Sequence, residues 1–154
     1  MKFSDREDIE APIEHVWSQV SDFGFYERQA LRRGADVRRV DQGPVRQGSA
    51  WDVAFTFRGK DRRLQARLSE LDAPNLMRLD VESQGIDAVT LVELVPLAPG
   101  RTRLAVSIEM SAKSLSARLL LQSLKLAKAN LTRRFKRRVA DFAQEIEARY
   151  KPGA

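Results

Sequence analysis

The sequence predicts an α+β domain: a curved antiparallel sheet of about seven strands wrapped around a long C-terminal helix, with two short helices after the first strand. Three observations carry this expectation. From about Ser114 onward, Leu120, Leu124, Ala127, Leu131, Phe135, Val139, Phe142, Ile146 and Tyr150 recur at steps of three or four, which is one face of a single helix. At roughly 1.5 Å per residue, about 36 residues make a rod of about 54 Å, far longer than the roughly 12-residue average helix. Such a rod needs a broad partner surface. The residues before it alternate apolar with polar and are punctuated by short turn signals, the pattern of hairpin-linked antiparallel strands. Between them, residues 12–34 carry a helical period, and helices set to one side of an antiparallel sheet make the α+β class.

Each element follows from its residues. Residues 2–10 are charge-rich with Phe3 and Ile9 as apolar points, which suits a first strand near a sheet edge. Pro12 fits the first helical position, Glu14 sits where the helix dipole favours an anion, and Ile13, Val16, Trp17 and Val20 form a stripe that Gly24 stops. A second short helix is expected over Phe25–Arg33, ending at Gly34. Val37 and Val40 lie in a strand closed by Gln42-Gly43-Pro44. Trp51, Val53, Phe55 and Phe57 then alternate with Asp52, Ala54, Thr56 and Arg58, and Gly59-Lys60-Asp61 turns the chain. Leu64, Ala66 and Leu68 mark the next strand, and Met77, Leu79 and Val81 the one after the Ala73-Pro74-Asn75 turn. Residues 86–97 are apolar on both parities, so no inner face can be assigned there. After Pro99-Gly100, Leu104, Val106, Ile108 and Met110 alternate with Arg103, Ala105, Ser107 and Glu109.

The totals narrow the function classes. With 154 residues the chain fits one domain, residues 1–154, large enough to bury a core without metal or disulfide support. There is no cysteine and one histidine, His15, which excludes thiolate chemistry, cysteine-ligated zinc and multi-histidine metal sites; no metal and no cofactor are expected. Met1 to Asp8 is charged where a signal peptide would be apolar, and no segment approaches the roughly 20 apolar residues of a membrane span. A cytoplasmic location is expected. The net charge of +6 is uneven: from Ser114 to Lys151 there are ten Lys or Arg against three acids. A run of this kind most often faces water, and its functional reading is a contact with an anionic partner.

The element order, together with Asp8-Ile9-Glu10-Ala11-Pro12-Ile13-Glu14-His15-Val16-Trp17-Ser18-Gln19-Val20-Ser21-Asp22-Phe23, the turn Pro99 to Leu104 and the leucine-rich start of the last helix, resembles the START-like (SRPBCC) superfamily, in particular its polyketide cyclase/dehydrase-like bacterial members. The resemblance implies the helix-grip fold, with the sheet curled around the last helix and an apolar cavity between them. Relatives use it for lipids, sterols, polyketides, quinones or plant hormones, and some are cyclases or co-chaperones. Many carry an aromatic Tyr-Pro-x-Trp segment after the first helix, where this chain has Tyr26-Glu27-Arg28-Gln29.

The function expected from these observations is binding or carriage of a small hydrophobic ligand. Cavity-lining candidates are Tyr26, Trp51, Val53, Phe55, Phe57, Leu79, Val106, Ile108, Met110, Leu120, Leu124 and Lys128. Ordinary core packing explains the apolar ones equally well. Lys128 and Arg138 fall inside the helix's apolar arc when residues are advanced by about 100° each. A buried cation needs a partner, so Lys128 is a candidate anchor for a carboxylate or phosphate head group, unless its stem merely lies along apolar surface with the head in water. Leu115, Leu119 and Leu126 fall on the opposite side, with burial under the Phe25–Gly34 segment as the expected explanation and a homodimer or membrane-docking face as the alternative.

Two rival readings remain. A cyclase or dehydratase would need polar groups projecting into the cavity, for which Tyr26, Glu93 and Lys128 are the candidates, with Asp87 and Thr90 behind them. His15 lies outside its helix's stripe and is expected to face water; Asp52, Asp80, Glu82 and Glu109 sit on the polar parity of their strands. No catalytic set is evident, so the expectation leans away from an enzyme. An interaction module would use Arg133 to Arg138 against RNA or anionic lipid. Nucleic acid is the less favoured partner, because Phe135 belongs to the core stripe and offers no stacking platform.

Overall fold

The two helices after the first strand and the sheet order set everything else in place. The computed structural model describes residues 1–152. It runs β1 (Lys2–Ile9), α1 (Ile13–Val20), α2 (Phe23–Arg32), β2 (Asp36–Arg39), β3 (Ala50–Phe57), β4 (Lys60–Asp72), β5 (Leu76–Ser83), β6 (Ile86–Ala98), β7 (Arg101–Ala112), α3 (Leu115–Lys125) and α4 (Lys128–Arg149). The seven strands form one antiparallel sheet in the order β1-β7-β6-β5-β4-β3-β2. Only β1 makes a long-range crossover, pairing with β7 from Lys2↔Glu109 to Ile9↔Thr102. The curved sheet with helices against one face is the helix-grip arrangement.

Register resolves the strand that the sequence left open. Met77 pairs with Val92, Leu79 with Thr90 and Val81 with Ala88, so the even-numbered residues of β6 share the face of Leu104, Val106, Ile108 and Met110. Glu93 and Asp87 therefore point to the outer face. Which side is inner is fixed by the core, where Ile9, Val16, Val20, Phe23, Trp51, Leu68, Met77, Val92, Leu94 and Leu104 pack with Val139, Ala143 and Ile146 of α4.

The expected single rod is two helices. α3 ends at Lys125, Leu126 and Ala127 form a tightened turn in which the Ala127 N–H donates to the Leu124 carbonyl at 3.0 Å, and α4 begins at Lys128. Neither glycine nor proline marks the place. The physical reason is that the two halves follow different strands: α3 lies closest to β7 and α4 closest to β1. A local tightening of the helical ladder lets the axis change direction between them.

α2 starts two residues earlier than the sequence suggested, because Asp22 caps it by accepting the Phe25 N–H at 3.1 Å. His15 does not face water. Its Nε2–H donates to the Ile146 carbonyl at 2.8 Å and its ring lies 5.1 Å from that of Tyr150, which ties α1 to the last turns of α4.

Candidate functional site

The inner face of the sheet changes character along its strands. At the end closed by α1, α2 and the last turns of α4, Leu68, Met77, Val92, Leu94 and Leu104 are buried. At the other end Val53, Phe55, Leu64, Val81, Ala88, Thr90, Ile108 and Met110 are only half-buried. They form one patch, since Val53 pairs with Leu64, Val81 with Ala88, Ala88 with Met110 and Thr90 with Ile108. The helix placement accounts for the difference. With α4 nearest β1, α3 nearest β7 and α1 reaching β6 and β7, the inner faces of β3, β4 and β5 are the least closely covered by helix backbone. A filled core would bury these side chains as fully as their neighbours; apolar inner-face surface left partly open in this way is available to an apolar guest.

The sequence-derived candidates divide into three groups. Val53, Phe55, Leu79, Val106, Ile108 and Met110 lie on the inner face and are half-buried, as are Leu120 and Leu124 on α3. Trp51 and Tyr26 instead belong to the closed wall. Trp51 is 6% exposed, stacks on Phe23 at 5.5 Å, and donates its Nε1–H to Glu27 at 2.8 Å. Tyr26 donates its hydroxyl to the Val20 carbonyl at 2.7 Å and meets Phe23 and Phe142 edge-on. Burial pushes its phenol well above the ordinary value of 10.0, so it stays protonated and its proton is already committed. Phe57 and Lys128 stand at the rim. Phe57 is 39% exposed at the end of β3, with the Arg58 and Arg62 guanidiniums 5.4 and 5.5 Å from its ring. Lys128 is exposed at the first residue of α4, because the tightened turn breaks the phase that placed it inside the apolar arc.

Tyr26, Glu93 and Lys128 do not converge. Glu93 is exposed on the outer face, and Asp87 is bound there to Lys113 at 3.1 Å. Thr90 is a polar member of the inner patch. Leu64, Val81 and Ala88 are lining residues that the sequence reading does not name as such, and Thr90 figures there only as a secondary polar candidate; for Ala88 and Thr90 the parity is unreadable in the sequence, and only the pairing with β5 and β7 reveals it. Among the described residues no group of three His, Cys, Asp or Glu side chains could hold a metal ion.

The outer face is a charged surface. Arg38 binds Asp52 at 2.9 Å, Arg78 binds Asp80 at 3.0 Å, and Arg101 and Arg103 share Asp8. A depression of about 720 Å³ on this side is lined by Asp52, Gln65, Arg67, Arg78, Asp80 and Glu82, among others. Its paired charges suit water better than an apolar guest.

Leu115, Leu119 and Leu126 are not covered by the segment 25–34. They are 73%, 58% and 92% exposed, because α2 packs at the far end, against β2 and the last turns of α4 through Tyr26–Phe142 and Arg149–Phe25.

Comparison with known proteins agrees with this architecture. A family described as polyketide cyclase/dehydrase and lipid transport matches residues 1–147. No curated protein matches by sequence. Among solved structures, the Zhui aromatase/cyclase from Streptomyces sp. R1128 is similar at TM-score 0.68 and 13% identity, over 100% of this chain and 98% of that one. The protein TTHA0849 from Thermus thermophilus is similar at 0.64 and 14%, over 98% and 100%. Norcoclaurine synthase from Thalictrum flavum, in complex with dopamine and hydroxybenzaldehyde, is similar at 0.62 and 16%, over 98% and 88%. At these identities the likeness is one of fold.

Proposed function

Because the chain belongs to the polyketide cyclase/dehydrase and lipid transport family, we propose that it acts as one helix-grip domain that binds and carries a small hydrophobic ligand between its sheet and its C-terminal helices. The observation that carries this reading is the half-buried apolar patch of Val53, Phe55, Val81, Ile108 and Met110, beside a core whose other inner residues are buried. Ligand contact runs along that patch, with Leu79, Val106, Leu120 and Leu124 continuing it and Thr90 as a hydrogen-bonding side chain within it. Phe57 and Lys128 stand at the rim, where Lys128 meets an anionic head group rather than the ligand's apolar body. Trp51 and Tyr26 back the hollow and give it rigidity.

A cyclase reading requires polar groups that act together inside the hollow, and the separation of Tyr26, Glu93 and Lys128 gives it no support. Outside the hollow, the favoured partner is an anionic membrane, ahead of a second copy of the chain and of nucleic acid, because the cations from Lys113 to Arg138 are interrupted by no acid. A cytoplasmic location belongs to the same reading and rests on the cysteine-free composition.

Native mass spectrometry of freshly purified protein tests the carrier. A co-purified apolar molecule that disappears in Phe55→Asp, with folding retained by circular dichroism, is the expected result. An empty wild-type protein that binds no fatty acid, quinone or aromatic polyketide probe in titration would overturn it. For an anionic probe such as a fatty acid, Lys128→Met should weaken binding about tenfold, the equivalent of about 1.4 kcal/mol, and leave a neutral probe of the same length unaffected.

A further inference from the structure

Deepening the membrane reading above and resting on it, we infer that α3 and the β3–β4 tip together form the docking surface for an anionic lipid bilayer. Leu115, Leu119 and Leu126 are among the most exposed large apolar side chains of the protein. Leu115 and Leu119 on α3 and Leu126 at its C-terminal cap share one side, about 120–180° around the helix from the buried Leu121 and Ala117. A stripe of leucines in water is an unpartnered face. Its surroundings identify the partner. No acid occurs between Glu109 and Asp141, while Arg118, Lys125, Lys128, Arg133, Arg134, Lys136, Arg137 and Arg138 do, and all eight are exposed. Exposed leucines followed along the chain by cations with no acid among them match the acyl boundary and the anionic head groups of a bilayer at once.

The hairpin tip shares this surface. Arg58 reaches from it to donate to Ser123 Oγ of α3 at 3.1 Å, holding the exposed Phe57 and the cations Arg58, Lys60 and Arg62 beside the helix. The half-buried Leu120 and Leu124 lie on the flank of the same helix that faces inward. Docking through α3 therefore sets the open end of the hollow against the bilayer, where an apolar ligand can pass without crossing water.

Sedimentation with vesicles of phosphatidylglycerol and phosphatidylcholine, against phosphatidylcholine alone, tests the surface. The wild-type protein is expected to pellet with the anionic vesicles only, and to be released as salt rises from about 0.1 to 0.5 M. The pair Leu119→Asp and Leu126→Asp should weaken binding at least about tenfold, and Arg118→Glu with Lys125→Glu should do the same. Leu31→Asp, an exposed leucine on α2, serves as the control and should bind like wild type. If the wild-type protein binds no anionic vesicle, the membrane reading fails. If it binds and the leucine pair binds equally well, the membrane partner stands and this face is wrong. A wild-type dimer in vesicle-free ultracentrifugation that the leucine pair turns into monomers would assign the face to a second copy instead and overturn the proposal. Binding to RNA with the same salt dependence and the same loss in the variants would overturn it too.

Discussion

Trp51 illustrates how a residue can be read correctly as apolar and inward while its neighbourhood stays hidden. Alternation with Asp52 placed it on the inner face, but nothing local announced Glu27, which lies 24 positions earlier and takes the indole N–H. Nor did it announce Arg39, stacked 6.0 Å from the ring and bound to Asp41. Trp51→Ala removes a buried aromatic and strands Glu27, so it should lower stability by about 3–5 kcal/mol in urea unfolding, while Val53→Ala at the hollow should cost clearly less. The carboxyl of Asp41 is held well below its ordinary 3.8, first by the Arg39 guanidinium, against the opposing effect of desolvation, and then by Ser49 and the Ala50 N–H. Since the folded value is the lower one, the stabilisation is complete at neutral pH, fades as the pH drops below that ordinary value, and is gone in strong acid. Asp41→Asn should thus lower the urea midpoint at pH about 7 and matter progressively less in acid. Glu7 has the opposite sign. Burial raises its carboxyl above the ordinary 4.5, with Asp5 adding to the shift, so ionisation destabilises the fold as pH rises through that range. Glu7→Gln should raise the midpoint at pH about 7 and change nothing at pH about 3.

At the scale of elements, the strands were legible because period-two alternation survives in β3, β4, β5 and β7. β6 was not, since its outer face carries Val89 and Leu91 as well as charges. The helix break was illegible for a different reason: the apolar stripe runs on through Leu124, Ala127 and Leu131 in one phase, and no breaker residue interrupts it. Only the sheet reveals that one straight axis cannot follow both β7 and β1. The start of α3 is fixed from below. Ser114 Oγ accepts the Ala117 N–H at 3.2 Å, and the Lys113 N–H donates to the Gly85 carbonyl at 2.7 Å. Gly85 has φ +85°, and a Cβ there would stand 2.6 Å from Ser114 Oγ. Gly85→Ala must therefore strain the turn and displace the cap at once. A loss of more than about 1 kcal/mol, the usual worth of the cap alone, is expected in thermal unfolding, together with weaker ligand binding as α3 shifts.

For the molecule as a whole, sheet order and the grip of the helices were readable from element order and the opening motif, whereas the half-buried patch was not, because half-burial depends on where the helices happen to touch. If the hollow is the binding site, occupancy must stabilise the fold by mass action. A probe at 100 times its dissociation constant should add about 2.7 kcal/mol, seen as a higher melting temperature in wild type and no shift in Phe55→Asp. The two ends of the sheet also bear on how the protein behaves at high concentration. β2 offers a free rim of only four residues, and β1 a rim of eight on which Asp5 and Glu7 occupy the same inward parity as Phe3 and Ile9. A foreign strand laid along β1 would have to bury those carboxylates further, which is a deterrent to runaway ladder growth. The destabilising Glu7 thus guards against aggregation: Glu7→Gln would give a tougher monomer that clumps more readily.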